Sequence, residues 1–161
     1  MQLRLCKIII TSLSAVFLAV VVFNNLTDPN SNYQFVRHVL SMDTTFPGNS
    51  LMYRAITAPI LHKIFYAGII GWEALTGVLI ATGAFKLWKA RAADTATWKK
   101  AKGLASLGLT AGLFQWYFIF MTMGGEWFLM WQSKTWNGQD AAFRLFAFMG
   151  LTLIFLNQAD E

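Results

Sequence analysis

The chain has 161 residues, of which 56% are hydrophobic and only 13% are charged. Because a soluble domain of this size has roughly a quarter of its residues charged, this composition excludes an ordinary soluble protein and indicates a single domain in a lipid membrane. The net charge of +5 does not indicate nucleic-acid binding, because most of the excess lies in two short segments beside apolar stretches. A single cysteine, Cys6, and the lack of clustered Cys and His predict no disulfide, no metal site and no cofactor.

The first apolar stretch follows the basic residues Arg4 and Lys7 and runs from Ile8 to Phe23. Its length fits either a signal peptide or a short membrane span. The next four residues are Asn, Asn, Leu and Thr, whereas a cleavage site requires small residues. We therefore expect an uncleaved first membrane helix over residues 7–24.

The loop over residues 25–60 is too long for a plain connection between two helices. Ser31 and Gln34 have the spacing of a capping box, which predicts a short helix that begins at Ser31. Asn49 or Ser50 can cap a second short helix further along the loop. Both helices are expected to lie at the membrane interface.

Three further apolar stretches cover residues 61–86, 103–124 and 140–157. The first two contain the ~20 residues that cross a hydrocarbon core of about 30 Å. The third stretch is shorter and contains Arg144. The expected fold is an all-α membrane protein, a four-transmembrane-helix bundle in which residues 1–161 form one membrane domain.

Lysine and arginine residues are concentrated before the first span and in the loop over residues 87–102. Short loops rich in these residues remain in the cytoplasm, so this loop and both termini are expected to be cytoplasmic. The loop over residues 25–60 and the segment between the third and fourth spans are then expected to lie on the outer face.

Glu73 is the most informative residue, because a carboxylate inside a membrane span is costly unless it is neutralised, paired or hydrated. Glu73 lies 13 residues before Lys86, and Gln115 lies 13 residues after Lys102, so both are about 20 Å from the same membrane boundary. Arg144 lies equally far from the end of the fourth span. We predict an intramembrane polar cluster of Glu73, Gln115 and Arg144, which either ties the helices together or relays a proton or substrate.

Gly108 and Gly112 give the third span a G-x-x-x-G spacing, which allows the backbones of two helices to approach closely. These glycines are therefore predicted to lie at a helix contact.

His38 and His62 are the two histidines, and two imidazoles can ligate a haem iron from opposite faces. His38 lies in the loop and His62 only at the mouth of the second span. We therefore expect hydrogen-bonding roles at the interface for both residues.

Two long sequence strings outside the spans carry a family resemblance. Residues 35–47 read Phe-Val-Arg-His-Val-Leu-Ser-Met-Asp-Thr-Thr-Phe-Pro, and residues 124–133 read Gly-Gly-Glu-Trp-Phe-Leu-Met-Trp-Gln-Ser. With these strings, and with Trp-Asn-Gly-Gln-Asp at 136–140, the chain resembles a bacterial family of predicted small integral membrane proteins of unknown function. The resemblance covers nearly the whole chain. It implies four transmembrane helices and a bacterial inner membrane, and it supplies no catalytic residues.

The same strings suggest an interaction surface on the outer face, since aromatic and arginine side chains are enriched where proteins bind each other. A belt at the lipid interface, or caps over the bundle, would also account for them. The predicted surface consists of Phe35, Arg37, His38, Asp43, Glu126, Trp127, Trp131 and Trp136.

The leading hypothesis is a non-catalytic accessory or interaction subunit of a larger complex in the bacterial inner (cytoplasmic) membrane. The expected partners are the lipid bilayer and either such a complex or further copies of the chain. Enzymatic activity is not expected, because no paired nucleophile and base is evident. The alternative is a small oligomeric transporter or proton-coupled carrier that uses Glu73.

Overall fold

The structure is a computed structural model that describes residues 1–160, and all regular secondary structure in this range is helical. Four of its helices are long and apolar enough to cross a membrane, which confirms the predicted fold class. Each predicted span lies within one of these four helices. The five α-numbered helices are α1 (Gln2–Thr27), α2 (Pro29–Ser41), α3 (Pro59–Ala90), α4 (Thr95–Trp127) and α5 (Gln139–Asn157).

Helix α1 continues to Thr27, three residues beyond the predicted end of the first span, and α2 begins at Pro29. Asp28 is the N-cap of α2, and its side chain accepts a hydrogen bond from the backbone N–H of Ser31. Pro29 occupies the first turn, where its missing N–H has no cost. The predicted start at Ser31 is therefore wrong, because Asp28 supplies the cap that Ser31 was expected to supply.

The segment 42–58 contains one turn of 3₁₀ helix, Met52–Arg54, where the second short helix was predicted. Asn49 does shape the preceding turn, because its side-chain oxygen accepts a hydrogen bond from the N–H of Leu51 at 2.9 Å. Pro59 then begins α3 at a position that favours proline.

Helix α4 changes its hydrogen bonding halfway along its length. Residues Thr95–Leu113 are α-helical, and residues Phe114–Trp127 have the wider π-helical pattern. Most π-helical segments are single turns, and they are frequently found at functional sites. Because every π turn contains an extra residue, the faces predicted from an α-helical period do not continue beyond Leu113.

The four long helices enclose a hydrophobic core near the end of the bundle where residues 91–94 connect α3 to α4. Because the basic residues of the segment 87–102 lie at this end, we call it the basic end. Helix α3 packs along α1 and along the α-helical half of α4, whereas the π-helical half of α4 packs mainly against α5. Helices α3 and α4 therefore diverge toward the other end. The core includes Leu18, Ile80, Leu87, Leu109, Met149 and Leu156.

Glycines bring α3 and α4 together at this core. A Cβ atom at Gly108 would lie 2.7 Å from Cγ1 and 2.9 Å from the backbone nitrogen of Ile80. A Cβ atom at Gly83 would lie 2.6 Å from the Cα atom of Ala105. Gly112 lies against the side chain of Met149 on α5. The structure thus places both glycines of the predicted motif at helix contacts and adds Gly83.

A second hydrophobic core covers the opposite end of the bundle. It lies within a cap made of α2, the segment 42–58 and the segment 128–138, and we call this the cap end. The two strings that carry the family resemblance meet in this core. Its buried members are Val36, Val39, Leu40, Met42, Phe128, Leu129 and Met130.

Candidate functional site

Glu73 lies on α3 toward the cap end and is only 2% exposed. Gln115 on α4 donates a side-chain hydrogen bond to Oε1 of Glu73 at 3.0 Å. Asn25 on α1 donates one to Oε2 at 2.8 Å. The predicted contact between Glu73 and Gln115 is therefore present, and both carboxylate oxygens accept hydrogen bonds from neutral amides.

The hydrogen-bond network extends from Glu73 to the cap. The side-chain amide of Asn32 on α2 donates to the side-chain oxygen of Asn25. The hydroxyl of Tyr66, two turns before Glu73 on α3, donates to the backbone oxygen of Asn25 at 2.8 Å. Asn25 thus connects three helices, and the chain of amide donors ends at the Glu73 carboxylate.

Arg144 does not join this cluster, which corrects the prediction. Its guanidinium Nε donates to the backbone oxygen of Asp140 at 3.2 Å, and the residue is exposed. Arg144 lies two positions after the buried Ala142, so it points about 200° around α5 from that residue. It is also only about 8 Å from the start of α5 at Gln139. The number of residues along the chain predicted the position of Arg144 along the helix axis, but not the direction in which its side chain points.

A cavity of about 290 Å³ lies beside Glu73, between the helix bundle and α2. Its polar lining comes from Glu73, Asn25, Asn32 and Tyr66, and the rest is mainly apolar. Trp116 also lines this polar cavity. Its side chain is 7% exposed, and its indole N–H has no hydrogen-bond partner in residues 1–160. The lining residues of the polar cavity therefore include a buried carboxylate and a tryptophan whose indole N–H has no acceptor.

A second cavity, of about 450 Å³, fills the gap where α3 and the π-helical half of α4 diverge. Its lining is almost entirely apolar, and we call it the apolar cavity. Phe65 on α3 and Phe118 on α4 line it and are themselves about half exposed. The apolar cavity shares Phe35, Val36, Ile69 and Phe120 with the polar cavity, so the two adjoin.

Four of the eight residues of the predicted interaction surface make contacts within the molecule, at the cap. The His38 ring stacks on Trp136 with centroids 4.8 Å apart, and its Nδ1 lies 2.9 Å from the Asp43 carboxylate. Phe35 contacts Trp136 edge-on and stacks on Phe120. Phe35 and His38 thus hold α2 to Trp136 in the segment 128–138, and the exposed Asp43 contacts the His38 ring.

The other four predicted residues are exposed. Arg37 pairs with Gln34 on its own helix, and Glu126 is reached by the Gln139 side chain at 3.4 Å. Trp127 is 46% exposed beneath the guanidinium of Arg54, and Trp131 is 43% exposed and contacts Phe46 edge-on. With Tyr53, which also contacts Arg54, these aromatic residues form an exposed patch on the cap. We call Phe46, Tyr53, Arg54, Trp127 and Trp131 the aromatic patch.

His62 is buried, and its Nε2 donates a hydrogen bond to the backbone oxygen of Ile56 at 2.7 Å. Within residues 1–160, no group of three or more His, Cys, Asp or Glu side chains is arranged to hold a metal ion.

A charged cluster at the basic end was not predicted. Asp160 accepts hydrogen bonds from Nζ of Lys102 at 2.6 Å and from Nζ of Lys7 at 2.7 Å. Lys7 is fully buried and also donates to the backbone oxygen of Gln158 at 2.6 Å. Burial raises the pKa of Asp160, but the hydrogen bonds from Lys102 and Lys7 outweigh it and lower the pKa to about 2. This basic-end cluster ties α1 and α4 to the segment after α5.

Four residues of the site around Glu73 were also missed, namely Asn25, Asn32, Tyr66 and Trp116. A signal for two of them was present, because Leu18, Asn25 and Asn32 are spaced by seven residues, which is close to two helical turns. Because Asn25 was assigned to the loop after the first span, this spacing was not interpreted as one face of a helix.

The comparisons with known proteins give one family. A family model described as "Predicted small integral membrane protein (DUF2165)" matches residues 3–159. No curated protein and no solved structure matches the chain. Because the family match covers nearly the whole chain and the fold has four helices that can span a membrane, the chain belongs to the DUF2165 family of predicted small integral membrane proteins.

Proposed function

We propose that the protein is a non-catalytic binding protein of the bacterial inner membrane, and that Glu73 with its amide partners forms the polar end of its ligand site. One observation carries this proposal: a carboxylate 2% exposed lines a cavity, and no ion pair in residues 1–160 includes it. Buried carboxylates in proteins are usually paired, because an unpaired charge loses its hydration. A ligand in the polar cavity would provide the missing partner.

The alternative function, a proton-coupled carrier, uses the same residue but needs access to it from both sides of the membrane. The polar cavity reaches Glu73 from the cap end. On the other side, the core residues Leu18, Ile80 and Leu109 close the bundle. This arrangement supports binding more than transport by a single copy of the chain.

Glu73→Gln is the substitution that tests the binding site. The Gln115 amide can turn over and use its oxygen to accept from the new amide, so the bundle should fold with a melting temperature within a few degrees of wild type. The negative charge is lost, and we expect the ligand to be lost with it. Native mass spectrometry of protein extracted from its own membranes in mild detergent measures this as the disappearance of a bound mass.

Glu126→Gln is the matched control, since it removes the same charge from an exposed position on the same end of the molecule. This variant should retain the bound mass. The binding proposal is wrong if the wild-type protein carries no bound small molecule, or if Glu73→Gln and Glu126→Gln retain it equally.

The aromatic patch favours a second candidate, an accessory subunit that docks a larger chain on the outer face with both of its own termini in the cytoplasm. Arg54 lies 4.5 Å from the Trp127 ring centroid and 5.6 Å from that of Tyr53, so its guanidinium contacts both rings in the absence of a partner. Tryptophan, tyrosine and arginine are the residues that contribute most to binding energy at protein interfaces. The basic loop at the opposite end supports this orientation.

Lys134→Cys in a Cys6→Ser background tests orientation and docking together, because Lys134 is exposed next to the aromatic patch. In spheroplasts, a membrane-impermeant maleimide that carries a photo-crosslinker should modify this cysteine and join it to a larger chain. Cys6 of the unsubstituted protein, at the basic end, should not react. Adding Trp131→Ala should reduce the crosslink. An unreactive Lys134→Cys would contradict the orientation, and modification without a crosslinked chain would contradict docking.

A further inference from the structure

The polar and apolar cavities together have the shape of a site for an amphiphile. They adjoin along shared wall residues, which places a polar and an apolar compartment side by side. One contains the carboxylate and amides around Glu73, and the other, of about 450 Å³, has almost no polar lining. Ligand sites in proteins commonly have volumes of a few hundred Å³ and a few polar groups that fix orientation.

The apolar cavity opens toward the side of the bundle. It lies between α3 and α4, both of which are long and apolar enough to span a membrane, and Phe65 and Phe118 are exposed along its lining. The exposed sides of such helices face lipid tails rather than water. A ligand with an apolar tail can therefore enter from the bilayer without passing through water.

Two polar groups in the lining of the polar cavity, the Glu73 carboxylate and the Trp116 indole, can form further hydrogen bonds, and together they indicate which headgroup fits. An ionised carboxylate has about four acceptor positions, and the Glu73 carboxylate receives two hydrogen bonds, from Asn25 and Gln115. It can accept further N–H donors, and a positive charge would balance it. The indole N–H of Trp116 needs the opposite, an acceptor. A headgroup with an ammonium and an oxyanion a short distance apart satisfies both.

We infer that the site holds an amine-headed phospholipid, with its ammonium at Glu73, a phosphate oxygen at the Trp116 indole and an acyl tail in the apolar cavity. This inference rests on the proposed binding function and names the class of ligand. A primary ammonium supplies both the positive charge and the N–H donors. A quaternary amine supplies the charge but has no N–H donor. A lipid with a purely anionic headgroup would repel the carboxylate.

The experiment uses the full chain in nanodiscs that contain equal amounts of phosphatidylethanolamine, phosphatidylcholine and phosphatidylglycerol with identical acyl chains. Lipid retained after gentle release is identified by native mass spectrometry. Phosphatidylethanolamine should be retained preferentially by wild type. Glu73→Gln should reduce this preference by a factor of about 30 or more, as expected when one partner of a buried charge pair is removed.

Two further variants test the tail. Met123→Trp places a larger side chain in the lining of the apolar cavity alone and should release the lipid while leaving Glu73 in place. Val78→Trp is its control, because Val78 is 62% exposed on the lipid-facing side of α3 and lines neither cavity. This control should retain the lipid.

The outcomes separate this inference from the proposed function. Retention that depends on Glu73 but favours phosphatidylcholine, phosphatidylglycerol or a small polar molecule would overturn the amine-headed lipid and leave the binding function standing. Equal retention by Met123→Trp and wild type would overturn the placement of the tail. If no molecule of any class depends on Glu73, both proposals fail.

Discussion

Replacing Asp160 by asparagine is expected to destabilise the protein by about 3 kcal/mol, the scale of loss when one partner of a buried ion pair is removed. The Asp160 side chain is 7% exposed, and its two oxygens each pair with one lysine. An asparagine has one oxygen and one N–H₂ group, so it can satisfy only one lysine and presents a donor to the other. Lys7, which is fully buried, or Lys102 would then keep an uncompensated charge.

Thermal unfolding in detergent at neutral pH measures the effect of Asp160→Asn. Asp94→Asn is the matched control, because Asp94 also carries one negative charge near the basic end and is the N-cap of α4. Asparagine caps helices as well as aspartate does, so this variant should melt close to wild type. Similar melting temperatures for Asp160→Asn and Asp94→Asn would show that the basic-end cluster does not stabilise the fold.

The difference between wild type and Asp160→Asn should also depend on pH. The pKa of Asp160 is about 2 in the folded protein, below its ordinary value of 3.8. A lowered pKa means that the ionised carboxylate favours folding, so this contribution is complete above about pH 4 and is lost as the pH falls through about 2. Unfolding measured at pH 7, 4 and 2 should show the two proteins converging at the lowest value. A difference that is constant across these pH values would argue against the ion pairs.

Gly83→Ala is expected to destabilise the protein by about 2 kcal/mol, in spite of the higher helix propensity of alanine. The added Cβ atom would lie 2.6 Å from the Cα atom of Ala105, far inside the normal contact distance of two carbon atoms. The obstacle is backbone, so no side-chain rotation can relieve it. Helices α3 and α4 must separate, and Ile80 and Leu109 in the core between them would lose contacts.

Gly103→Ala provides the comparison, because a Cβ atom at Gly103 meets nothing within 4 Å. This variant lies on the same helix as Ala105 and should be as stable as wild type or more stable by up to about 1 kcal/mol, from helix propensity. Unfolding of both variants in the same detergent gives the difference. If the two glycine variants unfold alike, the close contact between α3 and α4 has been placed wrongly.

The depth of the polar residues could be predicted from the sequence because helix rise is constant. Lys86 and Lys102 lie at the same end of two antiparallel helices, so equal counts along the chain brought Glu73 and Gln115 to one level. The four spans followed from apolar length alone. Both predictions rest on distances along a helix axis, which local sequence determines.

Directions around a helix axis were harder to predict, because they depend on where neighbouring helices lie. Arg144 has the predicted depth measured from the end of α5 but points away from the cavity. Asn25 was predicted to lie outside the membrane, at the end of the first span. In the structure it is buried on the face of α1 that contacts Glu73. In both cases a polar side chain had two possible environments, and only the tertiary contacts distinguish them.

The π-helical half of α4 is a further feature that the sequence did not predict, and it changes which residues lie beside Gln115. An α-helical period places Thr122 on the face of Gln115, whereas Trp116, the next residue, is the one buried with Gln115. The hydroxyl of Thr122 instead donates to the backbone oxygen of Tyr117, five residues earlier. No residue type marks the change at Phe114, where the helix begins to pack mainly against α5.

The two separate hydrophobic cores have a consequence for how the protein opens. Contacts within the cap join α2 to the segment 128–138, while the bundle is held at the far end by Leu87, Leu109 and Leu156. Regions with their own cores can unfold locally at a lower free energy than the whole molecule. Transient opening of the cap would expose the polar cavity with the four long helices still assembled. A ligand that reaches Glu73 through the cap, and not from the bilayer, would then exchange at a rate set by the stability of the cap.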